Sequence, residues 1–84
     1  MRKEDYAWMM LWASGKKNGM TWEVKHYEVG SEWGINGGRI SKLHIQDEAT
    51  GKWLVNYDRG WDIKPDKASA KTKALYKEIL TLFN

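Results

Sequence analysis

The hydrophobic positions along this chain repeat at two periods, and the change between them separates a sheet-forming stretch from a helix. Residues 20–28 alternate cleanly, with Met20, Trp22, Val24 and His26 on one face and Thr21, Glu23, Lys25 and Tyr27 on the other. A period of two predicts a half-buried antiparallel strand. Residues 39–46 repeat the pattern, Leu43 and Ile45 opposing Lys42, His44 and Gln46, and residues 52–58 do so with Trp53, Val55 and Tyr57 in line. Residues 5–13 are apolar on both faces, Tyr6, Trp8, Met10 and Trp12 against Ala7, Met9, Leu11 and Ala13. Such a strand is central in its sheet or covered on its second side. Over residues 67–83 the period lengthens: Leu75, Ile79, Leu82 and Phe83 recur at helical spacing, while Lys71, Lys73, Lys77 and Glu78 hold the opposite arc. That spacing predicts one amphipathic helix.

Turn signals fall between these segments. Residues 14–19 hold Gly15 and an Asn18-Gly19 step, which supplies the positive φ of a tight hairpin. Residues 47–52 read as a type I turn with Gly51 in the left-handed position. Residues 58–65 break the alternation and read as a loop; Pro65 blocks an earlier helical start, and Asp66 is placed to cap the helix. The expected architecture is α+β, a single domain over residues 1–84: a four-stranded antiparallel meander (β-β-β-β-α) with one C-terminal amphipathic helix packed on one sheet face. One helix covers one face. Aromatic side chains left on the other face form a binding or self-association surface unless the N-terminal strand and the glycine-rich loop fold across it.

Composition narrows the chemistry. A chain of 84 residues supports one modest core and no second domain. Without cysteine it has no disulfide framework, thiolate zinc site or thiol nucleophile. Six tryptophans and four tyrosines are an unusual load for this length. The net charge is +3, and the five lysines at 64, 67, 71, 73 and 77 against Asp66 and Glu78 account for all of it. A lysine-rich helix face is ordinarily a solvated one, and a phosphate-facing surface needs a basic patch. Three arginines, at 2, 39 and 59, are a thin supply for a reader of duplex DNA. The apolar run at residues 7–13 has the outline of a short signal peptide, but Glu4 and Asp5 interrupt its basic start, and it is too short for a membrane span. The expectation is a cytoplasmic protein.

Two segments carry candidate chemistry. Gly34-Ile35-Asn36-Gly37-Gly38-Arg39 matches neither dinucleotide nor Walker pattern. Its successive N–H groups beside Arg39 can form an anion nest, or Asn36-Gly37 is a plain turn. In Asp58-Arg59-Gly60-Trp61-Asp62, with Tyr57 before it, a guanidinium lies between aromatics that can stack a base while it clamps a phosphate. The competing reading pairs Asp58 with Arg59 locally and makes Trp61 a plug in the helix–sheet seam. His26 and His44 have no metal-ligand spacing, and Ser31 or Ser41 with His44 and Asp58 makes a triad only on paper, with no nucleophile elbow. The expectation is therefore a protein that is not an enzyme and uses neither metal nor cofactor.

The block Ser31 to Leu43, of the form S-x-x-G-I-x-x-G-R-I-S-K-L, is followed by Tyr-Asp-Arg-Gly-Trp-Asp at 57–62. Together they resemble a family of small phage and prophage proteins of unknown function, over roughly residues 22–83. The resemblance implies a mobile-element gene expressed in a bacterial cytoplasm, and a product that acts stoichiometrically on host defence or metabolism. Residues and resemblance together lead to an accessory binding protein that sequesters an anionic nucleotide-like ligand. Arg39, Lys42 and Arg59 would hold phosphate and Trp33, Tyr57 and Trp61 would stack a base, with Asn36 and Asp58 completing the site. A pocket this size forms most easily between subunits, which implies a homo-oligomer. The alternatives are an inhibitor that caps a host defence protein, as anti-CRISPR proteins do, and a single-stranded nucleic-acid binder on the open sheet face.

Overall fold

The computed structural model describes residues 11–84. Five antiparallel strands lie in chain order: β1 (Leu11–Lys17), β2 (Met20–His26), β3 (Ile40–Asp47), β4 (Trp53–Asp58) and β5 (Trp61–Ile63). One helix, α1 (Ala70–Phe83), packs across one face, so the α+β meander with a C-terminal helix stands, with a fifth strand added. The core is the layer between helix and sheet: Val24, Leu43, Ile45 and Val55 from the strands meet Leu75 and Ile79 from α1. Burial of each such side chain contributes about 1.5–3 kcal/mol. Trp22 and His26 flank Phe83 at ring-centroid distances of 5.8 and 5.1 Å, and the Thr72 hydroxyl donates to the Met20 sulfur at 3.3 Å.

The structure corrects the sequence expectation at five points. The strand expected at 5–13 lies outside the described residues up to position 10; beyond it β1 continues through Lys17, leaving only Asn18-Gly19 as the turn. Asn18 (φ 54°) and Gly19 (φ 77°) both take the left-handed region that a two-residue hairpin requires, so Ser14 to Lys17 remain free to pair with β2. Among the described residues β1 is an edge, with Leu11 and Trp12 exposed, and is not central. The segment expected as a loop at 58–65 contains β5, because Arg59-Gly60 closes a hairpin that lays Trp61 beside Tyr57.

Trp53 is out of line with Val55 and Tyr57. A β-bulge between Ile45 and Gln46 turns Trp53 to the far face, against His44 at 4.8 Å, and Leu54 packs against the core instead. Finally, Asp66 does not cap the helix. A 3₁₀ turn at Pro65–Lys67 intervenes, and the Ser69 hydroxyl accepts from the Thr72 N–H at 3.3 Å.

The far face of the sheet is polar. Register places Thr21, Glu23, Lys25, Lys42, His44, Asn56 and Asp58 there, with Trp12 and Trp53 the exposed aromatics among them. Trp22, Tyr57 and Trp61 all turn to the helix side.

Candidate functional site

The glycine-rich segment between β2 and β3 folds back on itself and is fastened from three directions. Gly34 approaches Gly38 so closely that an added Cβ would stand 1.9 Å from the Gly38 carbonyl oxygen. Asn84, at the end of α1, accepts from the Ile40 N–H at 3.0 Å and donates to the Ile35 carbonyl at 3.1 Å. The Tyr57 hydroxyl donates to the Trp33 carbonyl at 2.7 Å, and burial pushes its pKa up from 10.0, so it stays a donor. Ile35 anchors the segment in the core, and the Ser31 hydroxyl accepts from the Trp33 N–H at 3.2 Å. With its backbone held so, Trp33 is 56% exposed. A rigidly mounted exposed indole is a preorganised contact.

Beside Trp33 opens a cleft of about 320 Å³ lined by Tyr27, Val29, Gly30, Ser31, Ser41 and Arg59. Its volume falls within the range of small-molecule sites. Arg59 reaches it from the β4–β5 turn, which is tied to β3 by the Arg59 N–H donating to the Ser41 carbonyl at 2.9 Å. The Ser41 hydroxyl donates to the Lys25 carbonyl at 3.4 Å, leaving Ser41 buried in the wall. Arg59 is also a conformational outlier. Among the described residues three non-glycine positions have positive φ; Asn18 and Asn36 are of the type that tolerates it, whereas Arg59, at 58°, is not.

The sequence-predicted site is thus divided. Trp33 and Arg59 share the cleft. Tyr57 lies beneath the Trp33 backbone and meets Trp61 edge-on at 5.0 Å; Trp61 in turn meets Tyr76 at 5.8 Å, which makes it the seam plug of the competing reading. Tyr76 is likewise held above its ordinary pKa, by burial first and then by Tyr57 and Asp66. Lys42 and Asp58 pair across β3 and β4 at 3.8 Å on the polar face. Asn36 is exposed in the 3₁₀ turn at Ile35–Gly37. Arg39 acts on His26, whose pKa is lowered by burial and, secondarily, by that guanidinium. Tyr27, Val29, Ser31 and Ser41 are not among the ligand-binding candidates of the sequence, which named the two serines only for a catalytic triad; only a bulge at Lys25/His26 brings Ser41 level with the cleft, and no local pattern announces it. Among the described residues no three histidines or carboxylates gather as a metal site.

Residues 11–84 match the family described as Domain of unknown function (DUF7678). The chain belongs to this family. Both motif blocks lie within the matched span, so the cleft and its fastened loop belong to the family's domain. No curated protein and no solved structure matches the chain. Among the described residues no helix is long and apolar enough to cross a membrane.

Proposed function

We propose that this protein is a non-enzymatic accessory protein of phage or prophage origin, acting in the bacterial cytoplasm, that sequesters an anionic nucleotide-like ligand in the Trp33–Arg59 cleft. The observation that carries the reading is Arg59: a bulky residue kept in the left-handed region, at φ 58°, on the wall of a cleft that is also lined by the exposed Trp33. Backbone strain of this kind costs about 1–3 kcal/mol and persists where the surroundings impose it, often at ligand sites. The guanidinium suits a phosphate through paired N–H donors, and the indole suits a base through stacking. Ser31 and Tyr27 supply further polar groups at the rim. Cleft walls completed by a second copy would deepen the site, as expected of a homo-oligomer.

Native mass spectrometry of the protein from phage-infected cells, followed by calorimetric titration with nucleoside monophosphates and cyclic oligonucleotides, tests this. A nucleotide adduct is expected, weakened at least about tenfold in Arg59→Ala and in Trp33→Ala. A second reading rests on Val29 and Trp33, both more than half exposed on one rim, which also suit the capping of a host defence protein. A tight host-protein complex indifferent to nucleotides would establish that reading and end the first.

A further inference from the structure

A second and larger cleft lies elsewhere among the described residues, and its charge comes from residues far apart in sequence. About 440 Å³ in volume, it is lined by Lys52 after the β3–β4 turn, Lys64 after β5, Lys67 in the 3₁₀ turn and Lys71 on α1. The carboxylate in its wall is Asp47, which already accepts from the Ala49 N–H and the Thr50 hydroxyl, each at 3.2 Å. Among the described residues none of the four lysines has a carboxylate partner; Lys71 donates to the Asn18 carbonyl at 3.3 Å. The helix end adds no site of its own, because its Thr72 N–H is bonded to Ser69. Trp53, 44% exposed, also lines this cleft, at the strand edge where its indole turns to the far face of the sheet and stands edge-on to His44; the hollow beyond His44 holds Glu23 as well as Lys16, which pairs with Glu48 at 3.9 Å, and adds no positive charge to the cleft.

We infer that this lysine-lined cleft with Trp53 at its edge binds the phosphates and a stacked base of a single-stranded nucleic acid, a site separate from the Trp33–Arg59 cleft. Lysine ammoniums act as point charges without a fixed fork, so they favour a flexible phosphodiester chain over one bidentate anion. An exposed indole beside a basic groove is the combination that holds single strands without sequence preference. Lys73 and Lys77 lie on the same helix but outside the cleft, which separates a built site from diffuse positive charge.

The test is fluorescence anisotropy of a labelled oligothymidylate of about ten nucleotides, within the usual site size, titrated at several salt concentrations. The double variant Lys64→Ala with Lys67→Ala should weaken binding at least about tenfold and make the log–log salt slope shallower by about 1.4, two phosphate contacts at 0.7 each. Lys73→Ala with Lys77→Ala removes the same charge and should change affinity less than about threefold. Trp53→Ala should weaken binding about fivefold or more with the slope unchanged. Arg59→Ala should have no effect, which keeps this site's fate distinct from that of the other cleft. Circular dichroism melts confirm that the surface variants fold. Equal losses in the two lysine pairs, or binding of inorganic tripolyphosphate without binding of the oligonucleotide, would overturn the inference.

Discussion

Arg59 and His26 show how single residues depart from what their types prefer. At φ 58° the Arg59 backbone suits glycine better. Arg59→Gly is therefore expected to leave stability within about 1 kcal/mol of wild type in urea denaturation, since relief of strain offsets the added chain entropy. The same change should abolish nucleotide binding in the first cleft, so fold and ligand separate at one position. His26 is held below its ordinary value of 6.5 by burial, then by Arg39, and among the described residues its Nδ1 has no hydrogen-bond partner while the ring packs on Phe83. The unfolded chain takes up the proton first as pH falls, so this contribution is complete above about 6.5 and is lost as pH drops through the folded pKa. Urea midpoints measured from pH 7.5 to 5 should fall, and His26→Leu should flatten that fall. An unchanged slope would show that other groups govern it.

Among the elements, the glycine-rich segment and the β4–β5 hairpin decide where the first cleft lies. Gly34→Ala would drive a methyl group into the Gly38 carbonyl, an atom of backbone that cannot swing aside. Asn84→Ala would strand the Ile40 N–H, at a cost of about 1–3 kcal/mol for a buried group left unsatisfied, and would leave the Ile35 carbonyl with the Gly38 N–H as its remaining donor. Both variants should lower the urea midpoint and raise the backbone exchange rates of residues 30–39 in hydrogen-exchange mass spectrometry. Trp61→Ala removes the ring between Tyr57 and Tyr76 and should destabilise the protein by about 3 kcal/mol in the same titration. Any loss of ligand in that variant should track the loss of fold. The five-strand order also explains why β1 ends where it does: a two-residue turn leaves the longest possible ladder with β2.

For the whole molecule, the separation of the two clefts sets the expectation. One is aromatic with a single guanidinium; the other is cationic with a single indole. Both sit on one helix-on-sheet layer, so removing the layer removes both. Leu75→Ala should cost about 2–5 kcal/mol, with near-ultraviolet dichroism from the packed aromatics reduced before far-ultraviolet signal is lost.

Much of this architecture was legible from periodicity, because alternation and helical spacing state directly which side chains seek the same dry layer: Val24, Leu43, Ile45, Val55, Leu75 and Ile79 were each placed correctly. The turn at Gly51 was equally plain, since its left-handed backbone, at φ 74°, is one glycine supplies without strain. Three features depended on the folded chain. Bulges at Lys25/His26 and Ile45/Gln46 reset the alternation, moving Ser41 into a cleft wall and Trp53 to the open face. The Arg59-Gly60 turn gained a strand because Tyr57 offered it an edge. Lysines 52, 64, 67 and 71, unremarkable along the chain, became neighbours. Local spacing records the preference of each segment for one face, and it does so within a few residues. A cleft is made by segments far apart in sequence, and its position follows from register and packing that no single segment contains.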